Sequence, residues 1–235
     1  MIGFYDYSVW LTYLSLLSST LGILISLHGI GHPYLGIFCL MFSGLCDAFD
    51  GRVARTKKNR TDSMKKFGIQ IDSLSDLVAF GVLPVCIGEA MAGVGPGISG
   101  ISRIHFNGQL RSLLPALMVP CMLFYVLTAL IRLAYFNVLE EERQKTEVGC
   151  RKSYTGLPVT SAALIFPTIL LIQYITPFDV TFIYFAFLFI TGILFILKFE
   201  VPKPGLRGIL IMVGIGILEG ALLLVGIFFL DHYNI

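Results

Sequence analysis

Asp47 and Asp50 close one long apolar stretch, within Cys46-Asp47-Ala48-Phe49-Asp50-Gly51-Arg52-Val53-Ala54-Arg55, and Asp72 and Asp76 open the next, within Gly68-Ile69-Gln70-Ile71-Asp72-Ser73-Leu74-Ser75-Asp76. A spacing of three in the first pair and four in the second puts each pair on one helix face. Two antiparallel helices joined by the intervening segment then bring all four carboxylates together. Like charges so close at a membrane edge must take up protons or cations. Hard oxygen donors suit Mg²⁺, Mn²⁺ or Ca²⁺, whereas zinc more commonly recruits Cys or His. The helix dipole adds to the need at Asp47 and Asp50, near a negative C-terminal end, while Asp72 and Asp76 are expected at a favourable N-terminal one. An isolated aspartate here would read as a solvated helix end. Four of them, with Gly51, Ala54 and Gly68 between, read as a site, because residues without bulky side chains let a flat nucleotide or diphosphate reach the backbone.

The elements that must hold these residues are membrane helices. The chain is 56% hydrophobic and 14% charged, with a mean hydropathy of +0.82, and its long apolar runs are broken only by short polar segments. Seven candidate spans follow, at about Val9–Leu27, Pro33–Val53, Ile71–Gly93, Leu113–Asn137, Pro158–Tyr174, Phe178–Leu197 and Gly208–Leu230. The Thr176-Pro177 corner folds the fifth and sixth into a hairpin, and the glycine-rich Val94–Gln109 segment reads as an outer loop. The fold class expected is an all-α polytopic bundle forming a single domain over residues 1–235. Nearly all the basic residues fall in Arg52–Phe67, Val138–Leu157 and Lys198–Arg207, whereas the opposite segments carry only Arg103 and Arg111. The positive-inside rule therefore puts the N-terminus and the aspartates on the cytoplasmic side of the cell membrane. No removable signal peptide and no nucleic-acid partner are expected.

Other polar residues carry two readings each. Glu89 and Glu219 lie in apolar spans and are assigned to interhelical hydrogen bonding or an outer-leaflet position, away from the aspartates. His28 and His32 flank a glycine turn, and the cysteines lack zinc-ligand spacing. Gly216 and Gly220 make a GxxxG that serves either a dimer seam or close packing within the bundle. Arg132 and Asn137, with Lys152 and Tyr154 further on, have the chemistry to bind an amino acid's carboxylate. Topology anchoring explains Arg132 and Lys152 equally well.

At the aspartates the sequence resembles the CDP-alcohol phosphotransferase family, whose signature D-x-x-D-G-x-x-A-R, a spacer, then G-x-x-x-D-x-x-x-D is met by Asp47, Asp50, Gly51, Ala54, Arg55, Gly68, Asp72 and Asp76. The spacer here has twelve residues, against about eight in the family. A narrower resemblance, to phosphatidylserine synthases, runs through Phe67-Gly68, Asp72-Ser73-Leu74, Phe80-Gly81, Arg132-Leu133-Ala134 and Tyr154-Thr155-Gly156-Leu157-Pro158. In the first span Thr12, Ser15 and Ser18 stand where relatives often place an asparagine. The resemblance implies a homodimer among membrane lipids that transfers the phosphatidyl group of CDP-diacylglycerol to L-serine. It implies two divalent cations, Mg²⁺ or Mn²⁺, held by Asp47, Asp50 and Asp72. Asp76 would complete the metal site and take the acceptor's proton; Gly51, Ala54 and Gly68 would line the cytidine pocket, with Arg55 near the phosphates. Glycerol 3-phosphate, inositol phosphate and other polyol phosphates are the competing acceptors, and a divalent-cation transporter is the rival from another class.

Overall fold

In the computed structural model the described residues are 3–28, 35–57, 59–92, 108–146, 153–175, 180–202 and 205–227. After a short 3-10 turn at Tyr7–Val9 come α1 (Trp10–His28), α2 (Leu35–Thr56), α3 (Asp62–Asp76), a π-helical segment (Leu77–Val82) and α4 (Leu83–Ala92). Then follow α5 (Gly108–Thr146), β1 (Ser153–Thr155), α6 (Ala162–Ile175), α7 (Thr181–Ile196), β2 (Glu200–Pro202) and α8 (Leu206–Val225). Over its described residues each of the expected spans falls on one helical rod. Among the described residues four helices are long and apolar enough to cross a membrane, and α6 and α7 are shorter apolar helices. This is an integral membrane bundle. The Thr176-Pro177 corner, most of the Val94–Gln109 loop, His32, Cys150 and Lys152 lie outside the described residues.

The packing shows which solvent the chain was selected for. On α1 the buried residues are Thr12, Ser15, Ser19, Gly22 and Ser26, whereas Leu14, Leu17, Leu21 and Leu24 point outward. Such an arrangement would be inverted in water. In lipid it is favourable, because small residues let helix backbones approach and their hydroxyls bond across the seam. Ser43 Oγ donates to the Ser15 carbonyl at 3.0 Å, Ser18 Oγ to the Cys39 carbonyl at 3.0 Å and Ser75 Oγ to the Thr12 carbonyl at 3.2 Å. These bonds tie α1 to α2 and to α3. A Cβ on Gly22 would stand 2.7 Å from Cys39 Cβ, so the α1–α2 seam admits only glycine there.

Helices α3 and α4 form one rod from Asp62 to Ala92, interrupted by the π-helical turn. Pro84 lacks the N–H that would bond the Phe80 carbonyl, and the Tyr125 hydroxyl supplies that donor at 2.7 Å. Tyr184 reaches the Pro84 carbonyl in the same way, also at 2.7 Å. Both tyrosines are fully buried, and Tyr125 packs on Phe166 and Phe195. The rod is thus locked to α5 and α7 just beyond Asp76.

At one end of the bundle β1 pairs antiparallel with β2, Tyr154 opposite Val201. This joins two of the segments expected to share the basic face. Gly156 turns the chain there with φ +75°, and a side chain would meet the Leu197 carbonyl. The third span starts earlier than expected, at Asp62, because Thr61 caps the helix by accepting the Met64 N–H at 3.3 Å. Asp72 and Asp76 therefore lie in the second half of α3, where the N-terminal dipole does not reach.

The seam yields a test. Gly22→Ala should destabilise the detergent-solubilised protein by about 1–3 kcal/mol, the usual cost of overpacking. Gly214→Ala, where a Cβ meets nothing within 4 Å, should be neutral in the same thermal melt. Equal behaviour of the two variants would contradict the close α1–α2 approach.

Candidate active site

Helices α2 and α3 follow one another in the chain, and α1 packs against both. Their facing positions are Asp47, Asp50 and Ala54 on α2, and Gly68, Asp72 and Asp76 on α3. One carboxylate oxygen from each of Asp47, Asp50 and Asp72 lies within 4.8 Å of the others. Asp50 and Asp72 face each other across the cleft, and Thr12 of α1 stands beside Asp50. The Gly51 N–H donates to Asp50 Oδ1. Asp76, one turn deeper, is 8% exposed and faces the charges of Asp47 and Asp50.

Ionised carboxylates this close repel one another unless a proton or a cation lies between them. Among the described residues no lysine or arginine forms an ion pair with any of the four, whereas Lys57 pairs with Asp6 and Lys65 with Asp62. A partly buried, all-oxygen donor set of this kind fits a hard divalent cation. The small residues of the motif occupy the next turn outward. The Arg55 guanidinium folds back over Gly51, 3.6 Å from where a Cβ would be, and Arg60 lies over Gly68.

The residues considered for the acceptor are placed differently. Asn137 Oδ1 accepts from Ser73 Oγ at 3.0 Å, tying the inner part of α5 to α3 beside Asp72. It borders a groove of about 480 Å³ between α3 and α5, with Lys66, Gln70 and Glu141 at its polar end and Leu77 and Leu133 at its apolar end. Arg132 is buried, donates from Nε to the Leu157 carbonyl at 3.1 Å and sits over the Phe136 ring. It thereby holds the turn that follows β1. Tyr154 lies in β1 by its backbone. Glu219 bonds Thr168 across the α6–α8 seam at 2.5 Å, the interhelical role expected of it.

The N-terminal segment touches the spacer between α2 and α3 at two points, contacts that no local pattern announced. Lys57 donates to Asp6 at 2.8 Å and holds its carboxyl down at about 2. Phe4 packs edge-on against Phe67 with centroids 5.5 Å apart, next to Gly68. Among the described residues Thr12 and Arg60 also stand at the cleft, outside the signature.

Comparison with known proteins agrees with this geometry. Residues 7–212 match the family model described as CDP-alcohol phosphatidyltransferase. The chain is 31% identical over 131 residues to a CDP-diacylglycerol–serine O-phosphatidyltransferase of Helicobacter pylori, covering 56% of this chain and 44% of that protein. It is 37% identical over 125 residues to the Saccharomyces cerevisiae protein of the same name, covering 52% and 37% respectively. To an archaetidylserine synthase of Methanothermobacter thermautotrophicus it is 30% identical over 195 residues, covering 82% and 68%. The matched segment spans less than half the length of the first two relatives. Since the match runs through α1 to α8 and the signature residues meet in one cleft between α2 and α3, the chain belongs to the CDP-alcohol phosphatidyltransferase family.

Proposed function

We propose that this chain transfers the phosphatidyl group of CDP-diacylglycerol to L-serine, giving phosphatidylserine and CMP. The observation that carries this reading is the convergence of Asp47, Asp50 and Asp72 within 4.8 Å, one turn inside the small residues Ala54 and Gly68. Asp47, Asp50, Asp72 and Asp76 would hold two divalent cations, Mg²⁺ or Mn²⁺, whose charge neutralises the diphosphate and lets CMP depart. Asp76 takes the proton of the serine hydroxyl as its oxygen bonds to phosphorus and the bond to CMP breaks. Gly51, Ala54 and Gly68 seat the cytidine, and Arg55 offers its guanidinium to the phosphates. The names of the relatives point to serine as acceptor.

On the acceptor side, Arg132 is the first candidate for the serine carboxylate and Lys152 the second, with Asn137 and Tyr154 as further candidates. An arginine's paired planar donors match a carboxylate. The basic segments support a cytoplasmic site in the cell membrane, where soluble serine and a membrane-held liponucleotide meet. The working unit is a homodimer of single-domain chains, a state that native mass spectrometry in detergent tests directly.

Three outcomes are expected. Asp47→Asn, Asp50→Asn and Asp72→Asn should each cut divalent-dependent CMP release by about a hundredfold or more. Near-normal turnover in two of them would remove the metal assignment. Asp76→Asn should be inactive yet still bind CDP-diacylglycerol. Offered serine, glycerol 3-phosphate and inositol phosphate, the purified protein should form phosphatidylserine, and Arg132→Ala should raise the KM for serine while leaving liponucleotide binding intact. A product made only from a polyol phosphate would keep the chemistry and change the acceptor. Finally, Asn59→Cys should be labelled from the cytoplasm and Ser102→Cys from outside; the reverse pattern would refute the orientation.

A further inference from the structure

Arg60 occupies the mouth of the α2–α3 cleft in a manner that topology anchoring does not explain. An anchoring arginine extends its guanidinium to water or headgroups. Arg60 instead tucks inward: Nη1 stands 3.4 Å from the Ala54 carbonyl and Nη2 3.5 Å from the Met64 carbonyl, and Nε is buried with no partner among the described residues. Both carbonyl contacts are long beside the roughly 2.9 Å of a good N–H···O bond. A guanidinium has five donors, and here none is well used. A Cβ on Gly68 would stand 2.7 Å from Nη2, so the guanidinium fills the notch that this glycine leaves open.

Its place relative to the carboxylates follows from helix geometry. Ala54 is four residues beyond Asp50 on α2, and Gly68 four residues before Asp72 on α3. The guanidinium therefore lies about one turn, roughly 6 Å, outward from the acidic cluster and between the same two helices. The spacer that carries it is held at both ends, by Lys57 on Asp6 at 2.8 Å and by Phe67 on Phe4. Thr61, the next residue, caps α3. A fixed, under-bonded cation at that distance from a cation-seeking carboxylate cluster is complementary to a ligand that is anionic at one end and rich in acceptors at the other.

We propose that Arg60 is a ligand of the nucleotide half of the donor. The proposal rests on the liponucleotide reading given above and adds a residue to it. On binding, the nucleotide enters the notch at Gly68, takes the donors now spent on the Ala54 and Met64 carbonyls, and provides a partner for Nε. Phosphate oxygens and the O2 and N3 acceptors of cytosine both suit a guanidinium edge.

The experiment uses the purified full chain in detergent with Mg²⁺. CMP binding is measured by calorimetry for wild type, Arg60→Ala and Arg60→Lys, each checked by thermal melting. Arg60→Ala should weaken CMP at least about tenfold at unchanged melting temperature, with Arg60→Lys in between, since lysine keeps the charge and loses the fork. Competition with cytidine and with pyrophosphate then tells which end is held: the competitor whose binding weakens in Arg60→Ala identifies it. A second measurement needs no variant. Phenylglyoxal modification of Arg60 in the wild type, followed by mass spectrometry, should slow markedly at saturating CMP. CMP affinity within twofold of wild type in a folded Arg60→Ala protein would overturn the proposal and leave the function standing, as would modification of Arg60 that CMP does not slow. A wild type that binds no CMP at all would overturn both.

Discussion

Repulsion among four carboxylates confined to one cleft is the constraint on which the rest of this structure turns. Asp47, Asp50 and Asp72 are drawn together by backbone geometry, since nothing in their own chemistry attracts them. What holds them is the packing of α1 against α2 and α3, through Ser15–Ser43, Ser18–Cys39 and Thr12–Ser75 contacts that are short, directional and internal. A protein that keeps such a cluster needs a rigid frame and a cation. The small, hydroxyl-rich face of α1 provides the frame.

That frame also explains why the outside of the bundle is so apolar. Lipid offers no hydrophobic reward for burying leucine, so on α1 Leu14, Leu17 and Leu21 stay at the surface and the inner face is left to serine, threonine and glycine. The large apolar side chains that are buried cluster further along the rod, around Tyr125, Phe166 and Tyr184. There they serve a second purpose. The π-helical turn and Pro84 interrupt the regular ladder just past Asp76, and there the Tyr125 and Tyr184 hydroxyls donate to the Phe80 and Pro84 carbonyls. Asp76 is thereby set at the rim of a reinforced region, so its carboxyl is held in place without a bond to a neighbouring cation.

The connecting segments complete the arrangement from the other side. The β1–β2 ribbon, with Arg132 bonded to the Leu157 carbonyl, gathers the ends of α5, α6, α7 and α8. The N-terminal turn does the same for the spacer between α2 and α3. In both places a charged group is engaged by the protein's own chain, which places it without exposing it fully to lipid or water.

The sequence by itself determined the solvent, the helical rods and the cleft. Apolar runs of membrane length, and aspartates three and four residues apart, are local patterns whose meaning helix periodicity supplies. Hence the span near Val9–Leu27 and the aspartate faces are legible without coordinates. The start of α3 was misplaced because Asp62–Gln70 is polar on most faces; the cap at Thr61, and not hydropathy, begins that helix. What only the tertiary structure decided is where long side chains end. Arg60 looked like one more basic anchor, and Arg132 served equally as anchor or ligand. An arginine reaches far enough to choose among several partners, and the choice depends on backbones distant in sequence: Ala54 and Gly68 for one, Leu157 for the other. Spacing along one helix carries no information about such contacts, because they form only when separate rods meet.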